Sequence, residues 1–155
     1  MIHYVFDLDD TIVMHYTGRA KPYNEINEDK NLSLLLEKCN GPRYIYTNGT
    51  GGHAIEVIKR MKQIHLFDKI YSRDTIPYMK PDLRSFNSIH DDISYRYPGK
   101  HKVFFFDDLL ENLKIAKSIG WITFWINPNS SKGYPSFVDG GFTTLEECLV
   151  YLQNN

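Results

Sequence analysis

Short apolar runs alternate with segments of helical periodicity along most of the chain, and this alternation limits the fold more than any other feature. Five runs rich in β-branched and aromatic residues predict strands: IHYVF (2–6), RYIYT (43–47), KIYS (69–72), KVFFF (102–106) and WITFWI (121–126). Strands that alternate with helices are typical of a mainly parallel sheet covered on both faces. We therefore predict an α/β fold, a three-layer α/β/α sandwich around a five-stranded Rossmann-like sheet.

Helices are predicted between these strands from apolar residues spaced three and four apart. One runs over about 29–39, a second carries Ala54, Val57, Ile58 and Met61, a third runs over about 82–89, a fourth is led by Leu110 and stops at Gly120, and a fifth follows a capping box at Thr144. Asp91 and Asp92 follow the third predicted helix and are interpreted as a solvated turn. Residues 127–142 are predicted to form a loop.

Composition narrows the class of protein further. The 155 residues, 42% hydrophobic and 14% aromatic, suffice for a single domain over 1–155 with one core. Lys and Arg number 18 against 19 Asp and Glu, so no global charge attracts the chain to nucleic acid or to an anionic membrane. No apolar run approaches the ~18 residues of a membrane span, and Cys39 and Cys148 lack metal-ligand spacing. We expect reduced, buried cysteines and a cytoplasmic protein without a membrane partner.

Carboxylates follow two of the predicted strands directly. The stretch VFDLDDTIV (5–13) places Asp7 and Asp9 after the first strand, and Asp107 and Asp108 follow KVFFF. Because ligands bind beyond the carboxyl ends of the strands in an open parallel sheet, we expect these side chains to converge on one rim. Four converging carboxylates would repel one another unless a cation joined them, and an oxygen-only set suits Mg²⁺ better than Zn²⁺.

Four motifs in order resemble those of the haloacid dehalogenase (HAD) superfamily. FDLDDTIV resembles the first motif, YTN (46–48) the second, Lys80 in MKPD the third, and FFFDDLLEN (104–112) the acidic fourth motif in its DDxxxN form. The resemblance covers about residues 1–126. Within the superfamily, TNGTGGHA (47–54), KPDLRSF (80–86) and DDLLENLKIAKSIG (107–120) are most similar to the pyrimidine 5′-nucleotidase branch.

The resemblance implies a role for each carboxylate. Asp7 would be the nucleophile and form an aspartyl-phosphate. Asp9 would act as general acid and then general base, and its backbone carbonyl would ligate the metal. Asp108 would be a second side-chain ligand of Mg²⁺ beside Asp7, and Asp107 would be either a further ligand or a residue that orients the others. Asp10 is interpreted as a solvated turn residue.

The resemblance also implies a set of phosphate-binding residues. Thr47 and Asn48 would donate hydrogen bonds to the phosphoryl oxygens, and Lys80 would neutralise the charge that accumulates as a phosphate meets Asp7. Asn112 would brace Lys80 or a metal-bound water. His53 matches a histidine of the nucleotidase-like pattern and is a candidate for substrate contact, although a solvated residue in the first turn of a helix is the alternative. Thr11 is interpreted as a structural cap.

A cap domain is the part of the nucleotidase-like pattern that this chain lacks. Only residues 12–46 separate the first motif from Thr47, and the predicted helix and strand within them leave residues 12–28 for a short flap in place of a cap. An open site implies a large substrate, an oligomer partner that covers the site, or a poorly selective phosphatase. HYTGRAKPY (15–23), with Arg19 and Lys21, is the local candidate for substrate recognition, and a mobile basic loop is the alternative.

These observations predict a magnesium-dependent phosphomonoester hydrolase that acts through an aspartyl-phosphate, with nucleotides as one candidate substrate class. The alternatives are a capless HAD phosphatase that acts on phosphoproteins or polynucleotide 3′-phosphate ends, and a HAD-fold binding protein with vestigial catalysis. The expected substrate is a phosphorylated small molecule or macromolecule. Nucleic acid as a partner and assembly into a homo-oligomer are both left open. Dehalogenase chemistry is disfavoured because that branch lacks an acid/base aspartate at the position of Asp9.

Overall fold

A six-stranded parallel sheet forms the centre of the computed structural model, which describes residues 1–15 and 19–155. The strands are β1 (Ile2–Phe6), β2 (Arg43–Tyr46), β3 (Lys69–Tyr71), β4 (Lys102–Asp107), β5 (Ile122–Ile126) and β6 (Gly140–Phe142). They lie in the order β3-β2-β1-β4-β5-β6, and each neighbouring pair is parallel. The strand order reverses at β1, so β1 and β4 flank the point at which open sheets of this kind bind their ligands.

Helices cover both faces of the sheet and bury its alternating apolar side chains. The helices are α1 (Lys30–Glu37), α2 (Gly51–Arg60), α3 (Leu83–Arg96), α4 (Leu110–Ser118) and α5 (Leu145–Gln153). Phe6 and Phe106 belong to one core with α1, α2 and α5, whereas Val5 and Phe105 belong to a second core with α3 and α4. Successive strand residues point to opposite faces, which explains the two cores. The predicted three-layer α/β/α architecture is confirmed.

The number of strands was predicted wrongly. The sheet has six strands, because β6 lies at the end of the segment 127–142 that the sequence predicts as a loop. Two of its three residues are glycines, which are depleted from strands and conceal the pattern. Packing explains them: a Cβ on Gly141 would lie 2.6 Å from a ring carbon of Tyr134, and one on Gly140 would lie 3.2 Å from the ring of Phe124.

The third helix is longer than predicted. It extends to Arg96 and therefore contains Asp91 and Asp92, which are not in a turn. Buried Ile93 continues the apolar face beyond the predicted end at residue 89. The Asp92 carboxylate accepts hydrogen bonds from Lys69 Nζ at 2.9 Å and Tyr71 Oη at 2.6 Å, so it ties α3 to the edge strand β3.

No helical cap is inserted between β1 and β2 in the part of the chain that the structure describes. Before α1, the described residues form a turn with a bridge between Asp9 and Val13, and one 3₁₀ turn at Tyr23–Glu25. Within residues 1–15 and 19–155, none of the helices combines the length and apolar character needed to cross a membrane. Cys39 and Cys148 are buried free thiols.

Candidate active site

A cleft of about 330 Å³ opens at the carboxyl ends of β1, β2 and β4. Its lining contains most of the residues singled out in the sequence: Asp7, Asp9, Asp10, Thr47, Asn48, Lys80, Asp107, Asp108 and Asn112. The fold thus brings together four segments that are far apart in the sequence: those that follow β1, β2 and β4, and the loop that carries Lys80. Each side chain has a specific position within this cleft.

Asp7 comes directly after β1 and is 8% exposed. Its backbone N–H donates to the carbonyl of Phe106 at 2.9 Å, which extends the pairing of β1 with β4 by one residue. The carboxylate accepts a hydrogen bond from Thr11 Oγ1 at 3.0 Å on one oxygen and from Lys80 Nζ at 2.9 Å on the other. Thr11, predicted as a cap, therefore holds the orientation of Asp7.

Lys80 is buried between two carboxylates. Its ammonium group donates to Asp7 Oδ1, to Asp107 Oδ2 and to the carbonyl of Tyr46, each at 2.9 Å. Burial alone would lower the pKa of Lys80, but the carboxylates of Asp107 and Asp7 outweigh this effect and raise it. Lys80 is therefore a fixed positive charge, and all three of its N–H donors already have acceptors.

Asp107 has donors on both of its oxygens. Oδ1 accepts the backbone N–H of Leu109 at 2.9 Å, and Oδ2 accepts Lys80 Nζ at 2.9 Å and Asn112 Nδ2 at 3.1 Å. Of the two roles left open by the sequence, this geometry favours the residue that orients Lys80. Asn112 braces Lys80 through Asp107, and its Oδ1 is buried without a partner among the described residues.

Asp108 completes a cluster of three carboxylates. Ligand oxygens of Asp7, Asp107 and Asp108 lie within 4.8 Å of one another. Burial, followed by repulsion from the other two carboxylates, raises the pKa of Asp108, and burial followed by repulsion from Asp107 raises the pKa of Asp7. No N–H group among the described residues donates to the Asp108 carboxylate, in contrast to Asp107.

The donor set of this cluster fits Mg²⁺. Three carboxylates against the single ammonium of Lys80 leave two negative charges uncompensated when all are ionised. The ligand atoms are all oxygens, which hard divalent cations prefer. Asp108 has the most acceptor capacity left for an ion, and each oxygen of Asp7 accepts one hydrogen bond, whereas Oδ2 of Asp107 accepts two.

The loop after β2 supplies polar groups on the opposite side of the cleft. Thr47 Oγ1 accepts the backbone N–H of Gly49 at 3.0 Å, so the hydroxyl proton of Thr47 remains available to an incoming ligand. The side chain of Asn48 forms two hydrogen bonds with the main chain of Lys80, at 2.8 and 3.0 Å. Asn48 therefore fixes the loop that carries Lys80, and it lines the cleft.

Asp9 lies at the mouth of the cleft, where two imidazoles contact it. His15 Nε2 is 2.7 Å from Asp9 Oδ1, and His53 Nε2 is 3.2 Å from each oxygen. The side chain of Asp9 is 39% exposed, whereas that of His15 is 6% exposed. His53, predicted as a candidate for substrate contact, thus meets the predicted acid/base residue. His15 was predicted only as part of the candidate recognition stretch 15–23, without a role of its own.

The turn after β1 explains how His15 reaches Asp9. Asp10 has a left-handed backbone with φ of 63°, which aspartate tolerates better than most residues. Its backbone N–H donates to the carbonyl of Val13 at 2.6 Å, and its carboxylate accepts the backbone N–H of His15 at 2.9 Å. Asp10 is a turn residue, as predicted, and the turn folds the chain back over Asp9.

Only part of the predicted recognition stretch 15–23 can be described, because residues 16–18 lie outside the described residues. Arg19 is exposed, and the backbone N–H of Lys21 donates to His15 Nδ1 at 2.8 Å. Tyr23 donates to or accepts from His53 Nδ1 through its hydroxyl at 2.8 Å. Pattern analysis could not detect these contacts, because one joins a main-chain N–H to a ring within an irregular segment and the other joins side chains 30 positions apart.

Solved structures with a similar fold include a HAD hydrolase and several dehalogenases. YfnB of Bacillus subtilis, described as a HAD hydrolase and solved with bound magnesium, has a TM-score of 0.64 and 22% identity over 81% of this chain and 54% of its own. An L-2-haloacid dehalogenase from Xanthobacter autotrophicus, solved with covalently bound chloropropionic acid, has a TM-score of 0.63 and 16% identity over 84% of this chain and 63% of its own.

A dehalogenase solved as an intermediate complex has a TM-score of 0.67 and 24% identity over 86% of this chain and 60% of its own. The present chain thus spans between 54% and 63% of the length of these three structures. No protein-family model matches the sequence, and no curated protein matches it. The structural similarity shows that the protein has the fold of the HAD-like hydrolases.

Proposed function

We propose that the protein is a magnesium-dependent phosphomonoester hydrolase that acts through an aspartyl-phosphate on Asp7. One observation carries the proposal: two aspartates, two positions apart, occupy opposite environments. Asp7 is buried beside Lys80 and further carboxylates, whereas Asp9 lies at the mouth of the cleft and contacts two imidazoles. This arrangement suits a nucleophile held in an electrostatic site and a separate group that exchanges protons.

The reaction needs two displacements at phosphorus. In the first, a carboxylate oxygen of Asp7 forms a bond to phosphorus, the bond from phosphorus to the leaving oxygen breaks, and Asp9 gives its proton to that oxygen. In the second, Asp9 takes a proton from water, the water oxygen bonds to phosphorus, and the bond from phosphorus to Asp7 breaks. The products are the alcohol and inorganic phosphate, and both aspartates return to their starting state.

The remaining groups of the cleft bind and orient the phosphoryl group. Lys80 would offset its negative charge beside Asp7, and the Thr47 hydroxyl would donate to a phosphoryl oxygen. Asp7 and Asp108 would hold Mg²⁺, with the Asp9 backbone carbonyl as a further oxygen ligand. When bound, Mg²⁺ would supply positive charge beside the phosphoryl oxygens. Asp107 and Asn112 would keep Lys80 in place.

A haloacid dehalogenase is the second candidate, because solved neighbours with this fold carry that name. The chemistry of the site favours phosphate. A halide leaves as a stable anion and needs no proton, so a dehalogenase would have no use for Asp9 with its two imidazole contacts. Moreover, a carboxylate substrate without a bridging cation would be repelled by the cluster of Asp7, Asp107 and Asp108.

The test is a hydrolysis screen of purified protein with p-nitrophenyl phosphate and about a hundred phosphorylated metabolites, with and without Mg²⁺, beside 2-chloropropionate. We expect Mg²⁺-dependent phosphate release, no halide release, and a loss of activity of at least about 10³-fold in Asp7→Asn. An Asp7→Asn protein as active as the wild type would refute the assignment. An absence of both phosphate release and Mg²⁺ binding would favour the alternative, a HAD-fold binding protein with vestigial catalysis.

The substrate class follows from a second panel. The cleft has no helical cap within the described residues, so we propose that it also admits phosphate groups on macromolecules. Nucleoside monophosphates, phosphopeptides and 3′-phosphorylated oligonucleotides should be compared by kcat/KM. A preference of at least about tenfold for one group would identify the class, and equal rates would identify a poorly selective small-molecule phosphatase.

A further inference from the structure

Two imidazoles hold the carboxylate of Asp9 from different sides. The contact from His15 is short, with Nε2 2.7 Å from Oδ1, and the side chain of His15 is 6% exposed. The contact from His53 is longer and shared, with Nε2 3.2 Å from both oxygens. Oδ1 is therefore the more firmly held oxygen of Asp9, and Oδ2 is the oxygen with capacity left to exchange a proton.

The hydrogen bonds of His15 determine its tautomer. The backbone N–H of Lys21 points at His15 Nδ1, with a distance of 2.8 Å between the nitrogens. Since a backbone N–H can only donate, Nδ1 must be the unprotonated nitrogen of the ring. The ring hydrogen is then on Nε2, which donates to Asp9. His15 is thus a neutral imidazole whose tautomer is set by the main chain at Lys21.

A parallel chain of contacts reaches Asp9 through His53. The Tyr23 hydroxyl lies 2.8 Å from His53 Nδ1, and a hydroxyl that donates there leaves the ring hydrogen on Nε2, facing Asp9. The backbone carbonyl of Tyr23 accepts a hydrogen bond from Arg60 on α2 at 3.1 Å. Tyr23 and Lys21 belong to the same segment, so both chains of contacts start from residues 19–25.

We propose that residues 19–25 position the proton-transferring aspartate, Asp9, through His15 and His53. The main chain at Lys21 orients His15, the hydroxyl of Tyr23 orients His53, and both imidazoles fix the direction in which Asp9 Oδ2 faces the substrate. His15, His53 and Tyr23 are positioning residues in this scheme. The inference deepens the proposed function and rests on it, because Asp9 needs an orientation only if it exchanges a proton with a leaving group.

The leaving group provides a direct test. An alkoxide must be protonated as it departs, whereas p-nitrophenolate leaves without a proton. We therefore compare kcat/KM for an alkyl phosphate and for p-nitrophenyl phosphate in His15→Ala and Tyr23→Phe. Loss of positioning should lower the value for the alkyl phosphate by about 10- to 100-fold in His15→Ala, and at least about fivefold more than the value for p-nitrophenyl phosphate. Tyr23→Phe should show the same direction with a smaller effect.

Matched variants separate positioning from structure. His15→Gln keeps an N–H donor near the place of Nε2 and should restore part of the lost activity toward the alkyl phosphate. His65→Ala removes an exposed histidine remote from the cleft and should leave kcat/KM unchanged for both substrates. Circular dichroism and Mg²⁺ titration calorimetry verify that each variant is folded and retains its metal site. Tyr23→Phe deletes a single oxygen from a part-exposed side chain, so this variant still tests the proposal if His15→Ala fails to fold.

Two results would overturn the proposal. The first is an equal fall for both substrates in His15→Ala and Tyr23→Phe, because a merely structural role affects both alike. The second comes from ¹⁵N NMR of the imidazole rings and does not depend on activity. We expect a neutral His15 ring protonated on Nε2, with a signal that moves in Asp9→Asn. A ring protonated on Nδ1, or a signal insensitive to Asp9→Asn, contradicts the positioning. If the wild type hydrolyses no phosphate, the proposed function fails, and the NMR result alone decides the contact.

Discussion

Lys80 is the buried cation on which the anionic cleft depends. Among the described residues, it is the one lysine or arginine that is buried, and it contacts both Asp7 and Asp107. A buried ion pair contributes little net free energy when intact, but removal of one partner leaves an uncompensated charge. The stability of the fold and the chemistry of the cleft are therefore coupled through one side chain.

Replacement of Lys80 by Met should be strongly destabilising. We expect Lys80→Met to lower the free energy of unfolding by about 3–5 kcal/mol in the absence of Mg²⁺, because two buried carboxylates lose their counter-charge. Urea denaturation measures the change. Lys69→Met is the control, because Lys69 forms a part-exposed ion pair with Asp92. This substitution should lower the free energy of unfolding by at most about 1 kcal/mol. Similar losses in the two variants would show that Lys80 is not an essential counter-charge.

Replacement of Asp108 should stabilise the metal-free protein but weaken its binding of Mg²⁺. In the absence of Mg²⁺, Asp108→Asn removes one of three mutually repelling carboxylates and should raise Tm by about 2 °C. The same substitution should weaken Mg²⁺ binding, measured by calorimetry, at least about tenfold and abolish the rise in Tm that Mg²⁺ gives the wild type. A fall in Tm without metal, together with unchanged Mg²⁺ affinity, would place the ion elsewhere.

At the scale of the element, β6 contains glycines that are explained by the close packing of aromatic rings against them, although glycine has a low strand propensity. Its glycines lie against aromatic rings, and its neighbour β5 pairs with it along Phe124, Trp125 and Ile126. Edge strands of this kind are short and carry little sequence signal. The aromatic side chains occupy the space that side chains on β6 would need.

Alanine substitutions at two glycines should distinguish a loss of stability caused by steric clash from a gain caused by lower backbone entropy of the unfolded chain. Gly141→Ala would place a Cβ 2.6 Å from the Tyr134 ring and should destabilise the protein by about 1–3 kcal/mol. Gly52→Ala, in α2, meets nothing within 4 Å and should stabilise it by about 0.4–1 kcal/mol. Chemical denaturation measures both. If Gly141→Ala is neutral, the Tyr134 ring moves aside and does not restrict β6.

At the scale of the whole molecule, acid stability depends on a histidine remote from the cleft. His3 on β1 is fully buried, its Nδ1 lies 2.9 Å from the Tyr44 hydroxyl, and its Nε2 has no partner among the described residues. Burial, with smaller contributions from His101 and the N-terminal amine, lowers the pKa of His3 to about 4. Between this value and the ordinary 6.5, the unfolded chain binds a proton that the folded protein does not.

The free energy of unfolding should therefore fall as the pH is lowered from 6.5 toward 4. The contribution of His3 is fully present above pH 6.5, because stability rises with pH wherever the unfolded state binds more protons. His3→Gln should make the decline shallower, whereas His65→Gln, at an exposed site, should leave it unchanged. The carboxyls of Asp7 and Asp108 contribute with the opposite sign because their pKa is raised, so the difference between His3→Gln and the wild type isolates His3. Parallel pH profiles would contradict the assignment.

The succession of the first five strands and the five helices, and the rim on which the acids lie, followed from the sequence alone. Apolar periodicity is local, and it predicted β1, β2, β4 and β5, each of which buries a continuous run of side chains, and also the short edge strand β3. The carboxyl ends of parallel strands share one edge, so the acids after β1 and β4 had to lie at that edge, and the pairing of β1 with β4 then brings Asp7 close to Asp107. These statements require no distances between remote residues.

Tertiary structure alone decided which groups contact one another within that rim. Lys80 and Asp7 are 73 positions apart, and His53 and Asp9 are 44 apart, so their contacts depend on how three loops meet over the sheet. The engagement of both Asp107 oxygens, the contact of His15 with Asp9 and the pairing of glycine-rich β6 are set in the same way. Hydrogen bonds are decided within a few tenths of an ångström, and residue periodicity carries no information about distances across the fold.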